Sequence, residues 1–157
     1  MIEIERKFLV KNNDYKKDAF KEIHIKQGFL NSSKERVVRV RLTDEQGFLT
    51  VKGAPSGNGI SRFEWEKEIS KTDAEALFNL CEEGQIEKTR YLVNQGSHTF
   101  EVDEFYGENE GLVVAEIELN HVTELFIKPT WLDKEVTGDI KYYNSQLSKN
   151  PYKNWTK

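Results

Sequence analysis

The sequence is short of cysteine, of long apolar runs and of net positive charge. Its single cysteine, Cys81, cannot form an internal disulfide or a cysteine-based metal site, so a reducing, cytoplasmic compartment is expected. No apolar run approaches the roughly 20 residues of a membrane-spanning helix, and the charged segment 1–7 is unlike a signal peptide. A net charge of -4 argues against sequence-independent nucleic-acid binding. We therefore expect neither a membrane nor a nucleic acid as a partner.

Signatures of common catalytic sites are also missing. The glycine-rich segment 53–59 lacks the Gly-Lys-Ser/Thr ending of a P-loop and lies between two predicted strands. His24, His98 and His121 stand singly, without the spacing of a helical zinc motif. Cys81 lies on the apolar face of a predicted helix, where a packing role is expected. The sequence thus offers no Cys/His or Ser/His arrangement for nucleophilic catalysis.

What the sequence has in excess is charge of both signs. Charged residues make up 32% of the 157 residues, against a typical value of about 25%. Many of them alternate with apolar residues at period two, which predicts strands with one apolar and one charged face. This pattern covers residues 2–9, 38–42, 49–52, 63–68, 100–105 and 115–119. Segments 23–30 and 86–93 also have the apolar content of strands, which brings the predicted number to about eight.

The predicted fold class is α+β, mainly β, in a single domain over residues 1–157. Short connections between the strands, including a turn at residues 31–33, favour an antiparallel barrel or sandwich. A capping-box pattern predicts a helix over residues 72–81. Short amphipathic helical segments are predicted at residues 121–127 and 142–149. No repeat or linker divides the chain.

The charged faces of these strands are sorted by sign. Carboxylates form rows at Glu3/Glu5, Glu64/Glu66/Glu68, Glu101/Asp103 and Glu116/Glu118, and cations at Arg39/Arg41, Lys52 and Lys88/Arg90. On the outside of a sheet such rows would simply be solvated, and composition alone favours that interpretation. The opposite faces are apolar, however, and the predicted helices need apolar surface to pack on. If the sheet closes with that face outward, a basic wall for phosphate and carboxylates for Mg²⁺ would line a lumen.

The segment Glu3-Ile4-Glu5-Arg6-Lys7 resembles the Glu-x-Glu-x-Lys signature of the triphosphate tunnel metalloenzymes, the CYTH superfamily. Further segments resemble the blocks of this family in the same order, namely residues 27–30, 38–41, 49–52, 87–91, 102–105, 115–119, 135–139 and 142–144. The resemblance covers nearly the whole chain. It implies an eight-stranded antiparallel closed barrel that forms a tunnel, with a few flanking helices.

The same resemblance implies roles for individual residues. The catalytic residues would be Lys7, Glu5 and Glu118. The triphosphate would be bound by Lys7, Lys26, Arg39, Arg41, Lys52, Lys88, Arg90 and Lys141. The metal, Mg²⁺ or Mn²⁺, would be bound by Glu3, Glu5, Glu66, Asp103, Glu116 and Glu118. Glu64, Glu68 and Glu101 stay open between the tunnel and the outer face or rim.

The predicted function is metal-dependent hydrolysis of a small-molecule triphosphate, either inorganic triphosphate or an organic one. The cations would bind the phosphates, and the metal would stabilise the charge that develops during transfer. Two alternatives remain: an adenylate cyclase that forms cyclic AMP from ATP, and a non-catalytic sensor that binds polyphosphate or a nucleotide. The identity of the triphosphate, the preferred metal and the formation of a homodimer are not readable from the sequence.

Overall fold

The computed structural model describes residues 1–156, and Lys157, the last residue of the predicted domain, lies outside the described residues. The strands are β1 (Ile2–Val10), β2 (Lys21–Ser33), β3 (Arg36–Leu42), β4 (Gly47–Gly53), β5 (Ser61–Ile69), β6 (Ile86–Gln95), β7 (His98–Phe105), β8 (Val113–Glu118) and β9 (Leu132–Glu135). The helices are α1 (Tyr15–Asp18), α2 (Lys71–Phe78) and α3 (Asn144–Leu147). Short 3-10 turns cover Gly107–Asn109, Ile140–Tyr142 and Tyr152–Asn154.

Within residues 1–156, eight antiparallel strands close into a ring. Their order around it is β1, β5, β4, β3, β2, β6, β7, β8 and again β1. The first strand makes the closure, since Glu5 pairs with Glu118 of β8 while Ile4 pairs with Ser61 of β5. The short strand β9 extends the sheet beside the last residues of β1, where Val10 pairs with Leu132. The predicted eight-stranded antiparallel closed barrel is confirmed, and β9 was not predicted.

The outward faces of four neighbouring strands, β6, β7, β8 and β1, form an apolar core outside the ring. This outer core comprises Phe8, Tyr15, Tyr91, Val93, Phe100, Val102, Ala115, Ile117, Leu119, Trp131 and Leu132. Trp131 covers it, with its ring centroid 5.6 Å from that of Phe100 and 6.0 Å from that of Tyr15. Because side chains alternate along a strand, burying these residues outside turns the charged residues of the same strands inward.

A second apolar cluster fills one end of the barrel. Its members are Phe29, Val37, Ile86, Phe105, Leu112, Val114, Val136, Tyr142 and Leu147. The strand residues in this set belong to the strand ends that meet at one rim, and Tyr142 and Leu147 pack on them from the C-terminal segment. This end plug leaves the charged lumen to open at the opposite rim.

The helical predictions were only partly right. The helix predicted at 72–81 is α2, which begins earlier because Ser70 is its N-cap and accepts a hydrogen bond from the backbone N–H of Asp73. Residues 121–127 form no helix, because Phe126 packs in the outer core against Phe8 and Phe100. None of the helices in the described part of the chain has the length and apolar content of a membrane span.

Two other predicted segments also differ from the structure. Residues 31–33 continue β2 instead of turning, and the chain reverses at Lys34 and Glu35. A bulge between Phe29 and Asn31 adjusts the register of this strand against β3. The segment predicted as helical at 142–149 contains only α3, a single turn.

Candidate active site

The barrel lumen holds a cavity of about 150 Å³ lined almost entirely by charged side chains. Among the described residues, its carboxylates are Glu3, Glu5, Glu64, Glu66, Glu101, Glu116 and Glu118. Its cations are Lys7, Arg39, Arg41, Lys52, Arg62, Lys88 and Arg90. Charged residues of both signs are thus concentrated inside the barrel. The carboxylates and cations are equal in number there, so their formal charges nearly balance.

One wall of the lumen is basic and is fixed by a buried carboxylate. Asp103 accepts two hydrogen bonds from Arg90, at 2.8 and 2.9 Å, and pairs with the ammonium of Lys88 at 2.8 Å. Burial lowers the pKa of Lys88 to about 7, and Asp103 opposes that shift. Both cations are therefore held in the wall by a carboxylate that lies behind them.

Arg39 and Arg41 continue this basic wall on β3. Arg39 pairs with Glu66 at 3.3 Å, and its Nε is buried with no hydrogen-bond acceptor among the described residues. Arg41 donates from Nε to the side-chain oxygen of Gln27 at 3.1 Å and forms no ion pair within residues 1–156. Burial, and next the nearby charges of Arg39 and Arg90, lower the pKa of Arg41 to about 9. Donors of both guanidinium groups are thus left for an anionic ligand.

The acidic side of the lumen lies at the open rim. Glu3, Glu64 and Glu118 each place a carboxylate oxygen within 4.8 Å of the others. Lys52 is the nearest counter-charge, at 3.1 Å from Glu3 and 3.2 Å from Glu64. Burial, and next the neighbouring charges of Glu101, Glu3 and Glu64, raise the pKa of Glu118 to about 7. Carboxylate oxygens are the ligands that Mg²⁺ and Mn²⁺ prefer, so this donor set fits such an ion.

A buried pair of carboxyls, Glu5 and Glu116, lies deeper in the lumen. Burial and the charge of Glu116 raise the pKa of Glu5 well above its usual range. Burial acts in the same direction on Glu116, but Lys7 and a hydrogen bond from Glu5 hold its pKa well below the usual range. The two carboxyls are therefore hydrogen-bonded to each other, and Glu5 binds a proton more tightly than Glu116. Lys7 lies 3.8 Å from Glu116 and 4.9 Å from the ring centroid of Tyr143.

The structure brings six of the eight predicted triphosphate-binding residues into the lumen: Lys7, Arg39, Arg41, Lys52, Lys88 and Arg90. It places Lys26 and Lys141 elsewhere, contrary to the prediction. Lys26 is exposed on the outer face of β2, because its neighbours Ile25 and Gln27 are the buried, inward residues. Lys141 is also exposed, and its ammonium lies 4.7 Å from the ring centroid of Trp155.

Five of the six predicted metal ligands line the lumen: Glu3, Glu5, Glu66, Glu116 and Glu118. Glu66 differs from the other four in being paired with Arg39. Asp103 does not join this group, because Arg90 and Lys88 occupy both of its carboxylate oxygens. A purely sequence-based assignment cannot distinguish a carboxylate that faces the lumen from one that supports the wall.

Several residues of the site were not predicted from the sequence. Glu64, left open there, belongs to the converging carboxylates, and Arg62 lies on the same face of β5. The period-two pattern extended back from Glu64 would have found Arg62. Tyr143 and Asn144 also line the lumen, but they come from the C-terminal segment, where no strand periodicity marks the inward residues.

Comparison with known proteins gives the class of the chain. The model of the CYTH domain family matches residues 1–149, and the chain belongs to this family, as its strand motifs predicted. It is 51% identical over 154 residues to an inorganic triphosphatase of Acetivibrio thermocellus, which covers 98% of this chain and 97% of that protein. It is 34% identical over 152 residues to an inorganic triphosphatase of Nitrosomonas europaea, with 94% and 97% covered.

A solved structure is similar to this protein in fold. The crystal structure of the inorganic triphosphatase NE1496 is 32% identical in sequence and superimposes with a TM-score of 0.65. The match covers 93% of each chain. The chain thus has the same overall fold as this solved relative.

Proposed function

We propose that this protein is an inorganic triphosphatase that hydrolyses a phosphoanhydride bond of tripolyphosphate with a divalent metal ion bound. The observation that carries the proposal is the lumen itself, where a wall of buried cations faces converging carboxylates. The names of two relatives, at 51% and 34% identity, support the same activity.

The basic wall would bind the phosphate oxygens. Hydrogen bonds between ionised groups are roughly twice as strong as neutral ones, and the buried lumen strengthens them further. Arg41, which has no carboxylate partner in the described structure, and the unpaired Nε of Arg39 would donate to the substrate without first breaking an ion pair. Lys88 and Arg90 would complete the contact from β6.

The carboxylates at the open rim would bind the metal ion. Glu3, Glu64 and Glu118 would hold Mg²⁺ or Mn²⁺, and Glu5 and Glu116 lie deeper in the same lumen. Such an ion, when bound, neutralises charge on phosphate oxygens and lowers the pKa of a bound water.

Side chains of the lumen would perform the remaining catalytic roles. Lys7, beside Glu116, would neutralise the charge that develops on the departing phosphate. Glu118, whose carboxyl lies among the metal-binding residues, would accept a hydrogen bond from the attacking water. Glu5, whose pKa is raised well above the usual range by burial and by Glu116, would orient that water.

The decisive assay is phosphate release from tripolyphosphate, ATP and thiamine triphosphate, with Mg²⁺ and Mn²⁺ tested separately. We expect orthophosphate from tripolyphosphate and none without a divalent ion. Tight binding without phosphate release would favour the sensor. Release of cyclic AMP and pyrophosphate from ATP would favour the cyclase.

A secondary activity on organic triphosphates is favoured by a groove at the open rim. The groove encloses about 370 Å³ and shares Arg41 and Arg90 with the lumen. Its apolar lining comprises Ile23, Ile25, Phe48 and Leu92. An organic group attached to the triphosphate would contact this lining, so Phe48→Ala should lower kcat/KM for ATP and leave that for tripolyphosphate unchanged.

A further inference from the structure

Two neutral amide side chains join two cations of the basic wall. The side-chain oxygen of Asn144 accepts hydrogen bonds from the ammonium of Lys88 at 2.9 Å and from the amide nitrogen of Gln27 at 2.7 Å. The oxygen of Gln27 in turn accepts from Nε of Arg41 at 3.1 Å. The result is a continuous chain of hydrogen bonds from Lys88 through Asn144 and Gln27 to Arg41.

The fold explains why this chain can form. Strand β2 lies between β3 and β6 in the ring, so its inward residue Gln27 is next to both Arg41 and the wall that holds Lys88. Asn144 begins α3 and reaches the lumen from the end plug. Gln27 and Lys88 are 0% and 1% exposed, so each depends on protein groups for its hydrogen bonds.

The residue type matters as much as the position. A carboxylate in place of either amide would form an ion pair with the cation and compete with phosphate for it. An apolar residue would remove the acceptor of the Arg41 Nε, or one of the two acceptors of the Lys88 ammonium, the other being Asp103. An amide oxygen orients the cation without adding a negative charge beside it.

We propose that Gln27 and Asn144 are positioning residues that orient Arg41 and Lys88 for triphosphate binding without adding negative charge to the basic wall. The inference rests on the proposed function, because it names a role in binding the substrate of that same site. It also assigns part of the C-terminal segment to the active site and not only to closing the barrel.

The test compares acidic variants, which keep the acceptor oxygen and add a charge, with alanine variants, which remove the acceptor. Asn144→Asp and Gln27→Glu preserve shape and acceptor but add a charge, and each should raise KM for tripolyphosphate about tenfold or more with a smaller change in kcat. Asn144→Ala and Gln27→Ala should raise KM similarly. Gln146→Ala, on the same helix but outside the lumen lining, is the matched control and should behave as the wild type.

A double-mutant cycle tests whether Asn144 acts through Lys88. In a Lys88→Ala background, Asn144→Ala should raise KM by a smaller factor than in the wild type, because the ammonium that it contacts is gone and only its effect through Gln27 on Arg41 remains. Thermal unfolding of every variant checks that the fold is retained. If the two acidic variants keep the wild-type KM, or if the effect of Asn144→Ala on KM is fully additive with that of Lys88→Ala, the positioning role is wrong.

Calorimetric binding of tripolyphosphate separates this inference from the proposed function. A wild-type protein that binds tripolyphosphate but releases no phosphate would overturn the proposed activity. The same variants would still be expected to weaken binding about tenfold, with Gln146→Ala again unchanged. Equal dissociation constants for the wild type and both acidic variants would overturn the inference alone.

Discussion

Several carboxyl groups of the lumen bind protons more tightly than carboxyls on a surface do. Burial raises the pKa of Glu3, Glu5 and Glu118, and repulsion from neighbouring carboxylates adds to this effect. Burial acts in the same direction on Glu64 and Glu116, but a hydrogen bond from Glu3 and the charge of Lys52 lower the pKa of Glu64, and Lys7 holds that of Glu116 well below its usual range. Chemically identical residues therefore differ in proton affinity according to their neighbours. Of the three carboxyls at the rim, Glu118 has to lose its proton before it can bind a divalent ion.

Divalent-ion binding should tighten as the pH rises through about 7. A raised pKa means that Glu118 is largely protonated at pH 6 and largely ionised at pH 8, so affinity for Mn²⁺ should differ about tenfold between these two values. Titration calorimetry at both pH values measures this. In Glu118→Gln we expect weaker binding and a smaller pH dependence. An unchanged Mn²⁺ affinity in this variant would remove Glu118 from the metal site.

The same residue also affects stability. Because its pKa is higher in the folded protein than the ordinary carboxyl value, the folded state binds the extra proton, and its stability should fall as the pH rises from about 4.5 to 7. Replacement by glutamine removes this dependence. Thermal unfolding of Glu118→Gln and wild type at pH 5 and pH 8 should show the variant relatively more stable at the higher pH.

Charge reversal at Glu5 should abolish turnover. Glu5→Lys replaces a carboxyl that is hydrogen-bonded to Glu116 by a second ammonium beside Lys7, so phosphate release should fall by at least about 100-fold. The matched control is Arg6→Ala, on the same strand but outside the barrel, where Arg6 pairs with Glu135 at 2.7 Å. Exposed ion pairs contribute only about 0–1 kcal/mol, so this variant should stay active. Near-normal activity of Glu5→Lys would make the site assignment wrong.

At the scale of elements, the strands were predictable and the C-terminal segment was not. Strands β1 and β8 place glutamates inside and apolar residues such as Phe8 and Ile117 outside, so alternation alone marks both the strand and its inward face. The prediction for Lys26 did not follow this alternation, because it came from the family resemblance and not from the periodicity. Tyr143 and Asn144 owe their place to packing between distant segments, which leaves no local pattern.

Strand pairing closes only part of the seam between β1 and β5, and two loops complete it. The strands pair through residues 2–4 of β1, and beyond them Gly59 and Gly138 meet in front of Tyr143. Both glycines have positive φ, at 76° and 80°, and a Cβ on Gly59 would lie 2.3 Å from Cα of Gly138. This close approach holds Tyr143 beside Lys7 and Arg62.

Gly59→Ala should therefore destabilise the fold and weaken substrate binding together. Backbone strain at such a position costs about 1–3 kcal/mol, and the steric conflict with Gly138 adds to it. Urea denaturation measures the loss of stability, and KM for tripolyphosphate measures the displacement of Tyr143. Gly57→Ala in the same loop is the control, because its Cβ would meet open space. Equal stability of the two variants would show that the seam tolerates a side chain.

At the scale of the whole molecule, the net charge of -4 says little about the field inside the barrel. The lumen concentrates cations on one wall and carboxylates at the rim, and charges buried in this way are costly when their partners are incomplete. A metal–triphosphate complex would supply ionic partners to both the cations and the carboxylates of the lumen.

Substrate and metal together should stabilise the protein strongly. At 100 times the dissociation constant, a ligand that binds only the folded state adds about 2.7 kcal/mol, or roughly 5–10 °C in Tm for a protein of this size. Fluorescence-detected melting with tripolyphosphate and Mn²⁺, added singly and together, measures this. Sulfate at equal ionic strength is the control. An equal shift with sulfate would indicate a nonspecific anion effect.

The closure of the ring by β1 has a consequence for how the protein folds. Strand β1 is synthesised well before β5, β8 and β9, the strands with which it pairs. Pairing between segments so far apart in sequence gives a high contact order, which slows folding. During synthesis, β1 therefore stays unpaired until the later strands have emerged. Four charged residues, Glu3, Glu5, Arg6 and Lys7, favour its solubility during this delay.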